Sequence, residues 1–211
     1  ADAALIIGTK IILPFPSVGT TENIIIASAI SKGKTVIVNP AREPEISDLA
    51  DFLNHCGAKI YGAGESTIVI DGVNSLYPYE HTIIPDRILA STYMSLGAVC
   101  SKELTVNNIR QSHLSPVFPV FNEMGCKIYL SDNSLTLVSP KRLKRVKSIK
   151  TMPYPGFPTD SQSPVAVALS LAKGTSILQE TIFENRFRYV SELNRFGTDI
   201  EIKDNIAVIN G

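Results

Sequence analysis

No apolar run in the 211 residues is long enough to cross a bilayer. The longest, IIIASAI at 24–30, falls far short of the roughly 20 residues a spanning helix needs. No charged leader followed by an apolar stretch opens the chain, so it reads as a protein that is not secreted. Neither sign of charge dominates, with 20 Lys and Arg against 20 Asp and Glu, which removes any general attraction for nucleic acid or a membrane surface. Cysteine is scarce. Cys56, Cys100 and Cys126 form no CxxC and no Cys/His ligand spacing. An odd, scattered set reads as reduced thiols of a cytoplasmic protein, each a small buried hydrophobe. His55, His81 and His113 are isolated too, and no metal site is expected. What remains, 44% hydrophobic and 19% charged, is an ordinary globular composition with material for one large domain or two small ones.

The main organisational signal is an internal repeat of about seventy residues. Residues 31–72, 100–139 and 172–211 each read as strand, helix, glycine, strand, strand. The glycines that close the helices are Gly57, Gly125 and Gly197, placed where the chain needs a left-handed residue after the helix end. Counting back 11, 8, 7 and 4 positions gives Ile46, Leu49, Ala50, Leu53; then Leu114, Val117, Phe118, Phe121; then Arg186, Tyr189, Val190, Leu193. That spacing is the stripe of an amphipathic helix facing a core. Eleven of the twelve positions are apolar or aromatic and the exception is Arg186, placed by this count in its helix's first turn.

Upstream, each copy has a second helix led by an apolar residue, a proline and a capping residue: Phe15-Pro16-Ser17, Ile84-Pro85-Asp86 and Phe157-Pro158-Thr159. The apolar runs that follow, at 23–30, 88–99 and 164–172, read as helices buried nearly all round. The fold class is therefore α/β, a repeated βαβαββ unit with two helices on one face of a four-stranded sheet. Residues 1–13 look like closing strands of a preceding copy. The polar link DGVNSLYPYEH (71–81) reads as a domain boundary, giving domains 1–78 and 79–211.

Three segments carry candidate chemistry. PYPGFPTDSQ (153–162) stiffens the chain with three prolines and then delivers one carboxylate, Asp160, to the start of a helix. Read alone, Asp160 is a first-turn acid favourable to the helix dipole, or a base held in place by its backbone. Ser17-Val18-Gly19 is either a plain N-cap or a small, open helix terminus whose N–H groups suit phosphate. Arg186 is a cation in an apolar stripe, which must either snorkel to solvent or pair. KRLKRVKSIK (141–150) carries six positive charges but no aromatic residue for base stacking; Leu143, Val146 and Ile149 recur every third residue, as in a connecting segment with one buried edge. A non-catalytic RNA-associated βαβαββ module is the rival class, and the neutral charge weighs against it.

FPSVGTTENI (15–24), AREPEISDLADFLNHCGAKIYGAG (41–64), IPDRI (84–88), PYPGFPTDSQ (153–162) and IFENRF (182–187) resemble the enolpyruvyl transferases over essentially the whole chain. The resemblance implies six βαβαββ units in an "inside-out" α/β barrel of two three-unit domains, of which three units are present. They are the last unit of the first domain (1–78) and two units of the second (79–211). It further implies attack by the 3′-hydroxyl of UDP-N-acetylglucosamine on C2 of phosphoenolpyruvate, the first committed step of peptidoglycan synthesis, with no metal or organic cofactor. The shikimate-pathway branch of the family is the alternative, and FENRF beside PGFPTD favours the amino-sugar acceptor. Carried onto this chain, Asp160 is the catalytic base or orienter facing that hydroxyl. Ser17, Val18 and Gly19 touch the nucleotide diphosphate, and Ile182 contacts the nucleotide through its backbone. Arg186, read from the repeat and not from the resemblance, either reaches a phosphate or carboxylate in the cleft or stays exposed at the helix end. The general-acid loop and the family's grips on phosphoenolpyruvate match nothing in these 211 residues. The implied full-length enzyme is a cytoplasmic monomer binding neither nucleic acid nor membrane, whereas this chain alone is expected to self-associate and to be inactive. IPDRILAST departs from the family pattern at Leu89 and Ser91.

Overall fold

The computed structural model describes residues 6–211. They form two compact units, one ending at Ile84 and one running from Pro85 to Gly211, each with its own apolar core. The first unit contains β1 (Lys10–Ile12), α1 (Val18–Ala29), β2 (Lys34–Val38), α2 (Pro44–His55), β3 (Lys59–Tyr61) and β4 (Thr67–Asp71). Its sheet runs β1-β2-β4-β3, with β1 parallel to β2 and the other pairs antiparallel. Lys10–Ile12 is therefore the first strand of this copy and not the end of a preceding one; residues 1–5 of that stretch lie outside the described residues. The link after β4 stays with this unit because it is strapped to α2. The Tyr77 amide donates to the Cys56 carbonyl, Tyr79 stacks on His55, and His81 lies 3.0 Å from Asp48.

The second unit holds α3 (Arg87–Cys100), β5 (Glu103–Asn107), α4 (Gln111–Leu114), α5 (Phe118–Glu123), β6 (Lys127–Ser131) and β7 (Ser134–Val138). Then come β8 (Ile149–Lys150), α6 (Gln162–Leu169), β9 (Thr175–Gln179), α7 (Arg188–Arg195), β10 (Asp199–Lys203) and β11 (Ile206–Asn210). The third copy repeats the first strand for strand, in the order β8-β9-β11-β10. The middle copy departs from the expected four strands: its sheet is three-stranded, β5-β7-β6. Its second helix is also cut in two, α4 and α5, where Pro116 and Pro119 interrupt the ladder of backbone hydrogen bonds.

The three glycines stand where the repeat placed them. Gly57, Gly125 and Gly197 have φ of 100, 93 and 91°. Each donates to the carbonyl three residues back, and the next residue donates to the carbonyl five back, as Ala58 does to Leu53 at 2.9 Å. The stripe is buried as expected, from Ile46, Leu114 and Phe121 to Val190. The first helix of each copy is less buried than the sequence suggests. Ile26 in α1 and Leu96 in α3 are more than half exposed, Val167 in α6 is 39% exposed, and Leu171, just past α6, is more than half exposed. Of the cysteines, Cys56 and Cys126 are buried and burial pushes the Cys126 thiol up to about 11, against a bond to Ser139. Cys100 ends α3 exposed, contrary to expectation. Leu143, Val146 and Ile149 are buried while the six cations between them face outward, so 141–150 is a connecting segment with one buried edge. No helix of the described residues is long and apolar enough to cross a membrane.

Candidate active site in the second unit

Residues 151–162 turn back on themselves: Thr151 bridges to Phe157, and the Gly156 amide donates to the Pro153 carbonyl at 2.8 Å. The chain then enters a short 3₁₀ turn, Thr159–Ser161, that runs into α6. Asp160 occupies the middle of the turn. Its neighbours Thr159, Ser161 and Gln162 are buried, whereas Asp160 itself is exposed. Thr159 does not cap the helix as expected; its hydroxyl donates inward to Glu180 Oε2 at 2.7 Å. Ser161 Oγ lies 2.6 Å from Ser91 Oγ on α3. The departure at Ser91 thus has a physical consequence: the added hydroxyl ties α3 to the residue beside Asp160.

Glu180, which sequence reasoning passed over, is the hub of this region. It follows β9, is 2% exposed, and accepts four hydrogen bonds on one carboxylate. Oε2 takes the Thr159 hydroxyl and Gln162 Nε2 at 2.7 and 2.6 Å; Oε1 takes the Ile182 and Phe183 amides at 2.7 and 3.1 Å. Burial works to raise its pKa, but the Thr159 hydroxyl and the two amides outweigh burial and hold the carboxyl below its ordinary value. Little in the local pattern marks it, since a lone Glu at a strand end reads as a surface charge. The available signal was its position between PGFPTD and IFENRF.

Arg186 is not in a helix. It lies in the turn before α7, which begins at Arg188. Its guanidinium pairs with the Asp160 carboxylate and rests over the Phe183 ring, 5.2 Å from the centroid. Both charges keep substantial contact with solvent, at 39% exposure for Arg186 and 57% for Asp160. The structure brings Asp160 and Arg186 together although 26 residues separate them. Ile182 belongs to the same loop, and its N–H is taken by Glu180 Oε1. A concavity of ≈ 1040 Å³ opens beside this loop, lined among others by Ile182, Phe183, Arg186 and Arg188. Tyr189 is close enough to sense both charges: burial first and then Glu180 push its phenol up, with Arg186 opposing.

Ser17, Val18 and Gly19 belong to the first unit and open α1. Ser17 is the N-cap, accepting from the Thr20 amide at 3.4 Å and the Thr20 hydroxyl at 3.0 Å. Gly19 is exposed, and a methyl group placed there would meet nothing within 4 Å. Among the described residues, no group of three or more His, Cys, Asp or Glu is arranged to hold a metal ion.

Two complete βαβαββ copies with a third, shortened one, and a carboxylate–guanidinium pair at a proline-stiffened turn, define a chain built like the enolpyruvyl transferases. The crystal structure of the enolpyruvyl transferase NikO from Streptomyces tendae shares the fold, with a TM-score of 0.90 and 24% identity. That match covers 99% of this chain and 52% of that one. The family model described as EPSP synthase (3-phosphoshikimate 1-carboxyvinyltransferase) matches residues 4–211, and the chain belongs to that family. Among curated relatives, UDP-N-acetylglucosamine 1-carboxyvinyltransferase 2 of Caldanaerobacter subterraneus subsp. tengcongensis is 50% identical, covering 97% of this chain and 49% of that protein. The enzyme named UDP-N-acetylglucosamine 1-carboxyvinyltransferase in Finegoldia magna is 48% identical, covering 98% of this chain and 49% of its own length. The chain spans about half the length of these relatives.

Proposed function

We propose that this chain supplies part of the active site of an enzyme that transfers the enolpyruvyl group of phosphoenolpyruvate to the 3′-hydroxyl of UDP-N-acetylglucosamine. The observation that carries the reading is the Asp160–Arg186 pair, exposed on a turn whose flanking side chains are all buried and bonded. A hydroxyl attacking C2 of phosphoenolpyruvate must give up its proton, and a carboxylate held at a fixed place accepts it. The sugar oxygen bonds to C2 as the C2–C3 double bond opens and C3 takes a proton from a general acid, giving a tetrahedral ketal; loss of phosphate from C2 and of a proton from C3 then restores the double bond. In this reading Asp160 receives or orients the 3′-hydroxyl, and Arg186 exchanges its contact with Asp160 for one with an anionic group of a substrate. The Ile182 backbone meets the nucleotide; in the first unit, Ser17, Val18 and Gly19 open α1 with amides suited to a phosphate. Names of relatives at 48–50% identity support the amino-sugar acceptor. The role in peptidoglycan synthesis, a cytoplasmic location and self-association of the isolated chain belong to the same proposal.

The test is release of phosphate from phosphoenolpyruvate by a protein of the relatives' full length carrying this chain, offered one acceptor at a time. UDP-N-acetylglucosamine is expected to support turnover and 3-phosphoshikimate is not. Release with 3-phosphoshikimate alone would move the assignment to the other branch of the family.

A further inference from the structure

We propose that Glu180 is the positioning residue of this site, fixing the Asp160 turn and the Ile182–Arg186 loop to each other through one buried carboxylate. The inference rests on the reading of Asp160 and Arg186 given above and adds a residue that acts through them without touching substrate. The geometry divides the carboxylate cleanly. One oxygen holds Thr159 and Gln162, on either side of Asp160 and Ser161; the other holds the amides of Ile182 and Phe183, which open the loop ending at Arg186. The two segments are otherwise far apart in sequence, and each bears one half of the Asp160–Arg186 pair. A second tie reaches Glu180 from the following hairpin. The Asn205 side chain donates to its backbone carbonyl at 3.0 Å, and its amide donates to the Asn205 carbonyl at 2.8 Å. Glu180 is thus fixed at main chain and side chain together, as a rigid reference for a site must be.

A merely structural carboxylate would satisfy buried donors and no more. Two features of the arrangement go further. Both donors on Oε2 flank the exposed acid, so a shift of this oxygen moves Asp160. Both donors on Oε1 are main-chain groups of the one loop whose backbone is read as a ligand contact. Misplacing reacting groups by about 1 Å costs on the order of 10²-fold in rate.

The experiment uses Glu180→Gln and Glu180→Asp in the full-length protein. Gln162 can turn its amide to offer an introduced amide its own Oε1, which is buried and has no partner among the described residues; Glu180→Gln therefore has a route to a folded state. Glu180→Asp keeps the charge but draws it back by one methylene, and serves in the same cycle should the Gln variant not fold. Turnover with UDP-N-acetylglucosamine is expected to fall by about 10²-fold while KM for phosphoenolpyruvate stays within about twofold. In an Asp160→Asn background the same substitution is expected to cost no more than about twofold, because groups acting as a unit are not additive. An equal cost in both backgrounds would overturn the proposal. Hydrogen exchange gives a readout that needs no turnover: Ile182 and Phe183 amides are expected to exchange at least about tenfold faster in the variant, with those of β9 and α6 unchanged. Unchanged exchange at both amides would overturn the positioning role whatever the activity. Absence of turnover in the wild type would instead count against the function proposed above and leave the exchange result to decide Glu180.

Discussion

Arg186 and Glu180 offset the cost of their charges in opposite ways, and each way has its own signature. Arg186 is half in solvent and paired with Asp160, an arrangement worth only about 0–1 kcal/mol to folding. Arg186→Leu should therefore leave the melting temperature within about 3 °C of wild type. Its loss should raise KM for the sugar nucleotide by about tenfold or more, the scale of a charge-assisted hydrogen bond. Melting and steady-state kinetics on one sample check this, and a large change in stability with normal kinetics would make Arg186 a residue of the fold. Glu180 is buried and held by donors that favour its charged form, so its folded pKa lies below the unfolded one. A carboxyl of that kind contributes stability at pH above about 4.3, and that contribution disappears as pH falls through the folded value. The gap in melting temperature between wild type and Glu180→Gln should be constant from neutral pH down to about 5 and close at more acid pH. A gap unchanged into strong acid would mean that the ionised carboxylate is not what holds the turn.

At the scale of elements, two glycines make opposite predictions for the same substitution. Gly19 lies in the first turn of α1 and Gly197 lies just past α7 with φ of 91°; an added methyl meets nothing within 4 Å at either. Gly19→Ala should be neutral or stabilising by up to about 1 kcal/mol, since only backbone entropy changes. Gly197→Ala should cost about 1–2 kcal/mol, since an L side chain there is forced into the left-handed region. Denaturant midpoints of the two variants check the signs, and a matching sign would mean that space rather than φ governs these sites. The same features explain how far the fold was legible. The closing glycines and the stripe before them are local patterns, so α2 and the Schellman ends of α2 and α7 could be read from spacing, whereas the count ran the last helix back to Arg186 and α7 begins at Arg188. The split into α4 and α5 was written in Pro116 and Pro119, but the apolar period running through them masked it. The missing strand of the middle copy had no local mark. Lys10–Ile12 was misassigned because a parallel partner is chosen by the sheet and not by the strand's own residues. Within the site, PGFPTD pointed to Asp160 by its stiffness. Glu180 stayed hidden because its partners Thr159 and Gln162 come from 21 and 18 residues upstream and are joined to it only by folding.

In the whole molecule the proposed activity divides the labour: buried side chains hold a turn so that a single exposed carboxylate can act. Asp160→Asn keeps the size and the turn and removes only the charge, and so addresses that division without disturbing the frame. The measurement is phosphate release from phosphoenolpyruvate with UDP-N-acetylglucosamine by the full-length protein, alongside binding of the nucleotide sugar. Turnover is expected to fall by roughly 10²–10⁴, the usual scale for a general base, with binding kept within about tenfold. Near-normal turnover in Asp160→Asn would contradict that division of labour and reduce Asp160 to a first-turn acid of the helix that follows.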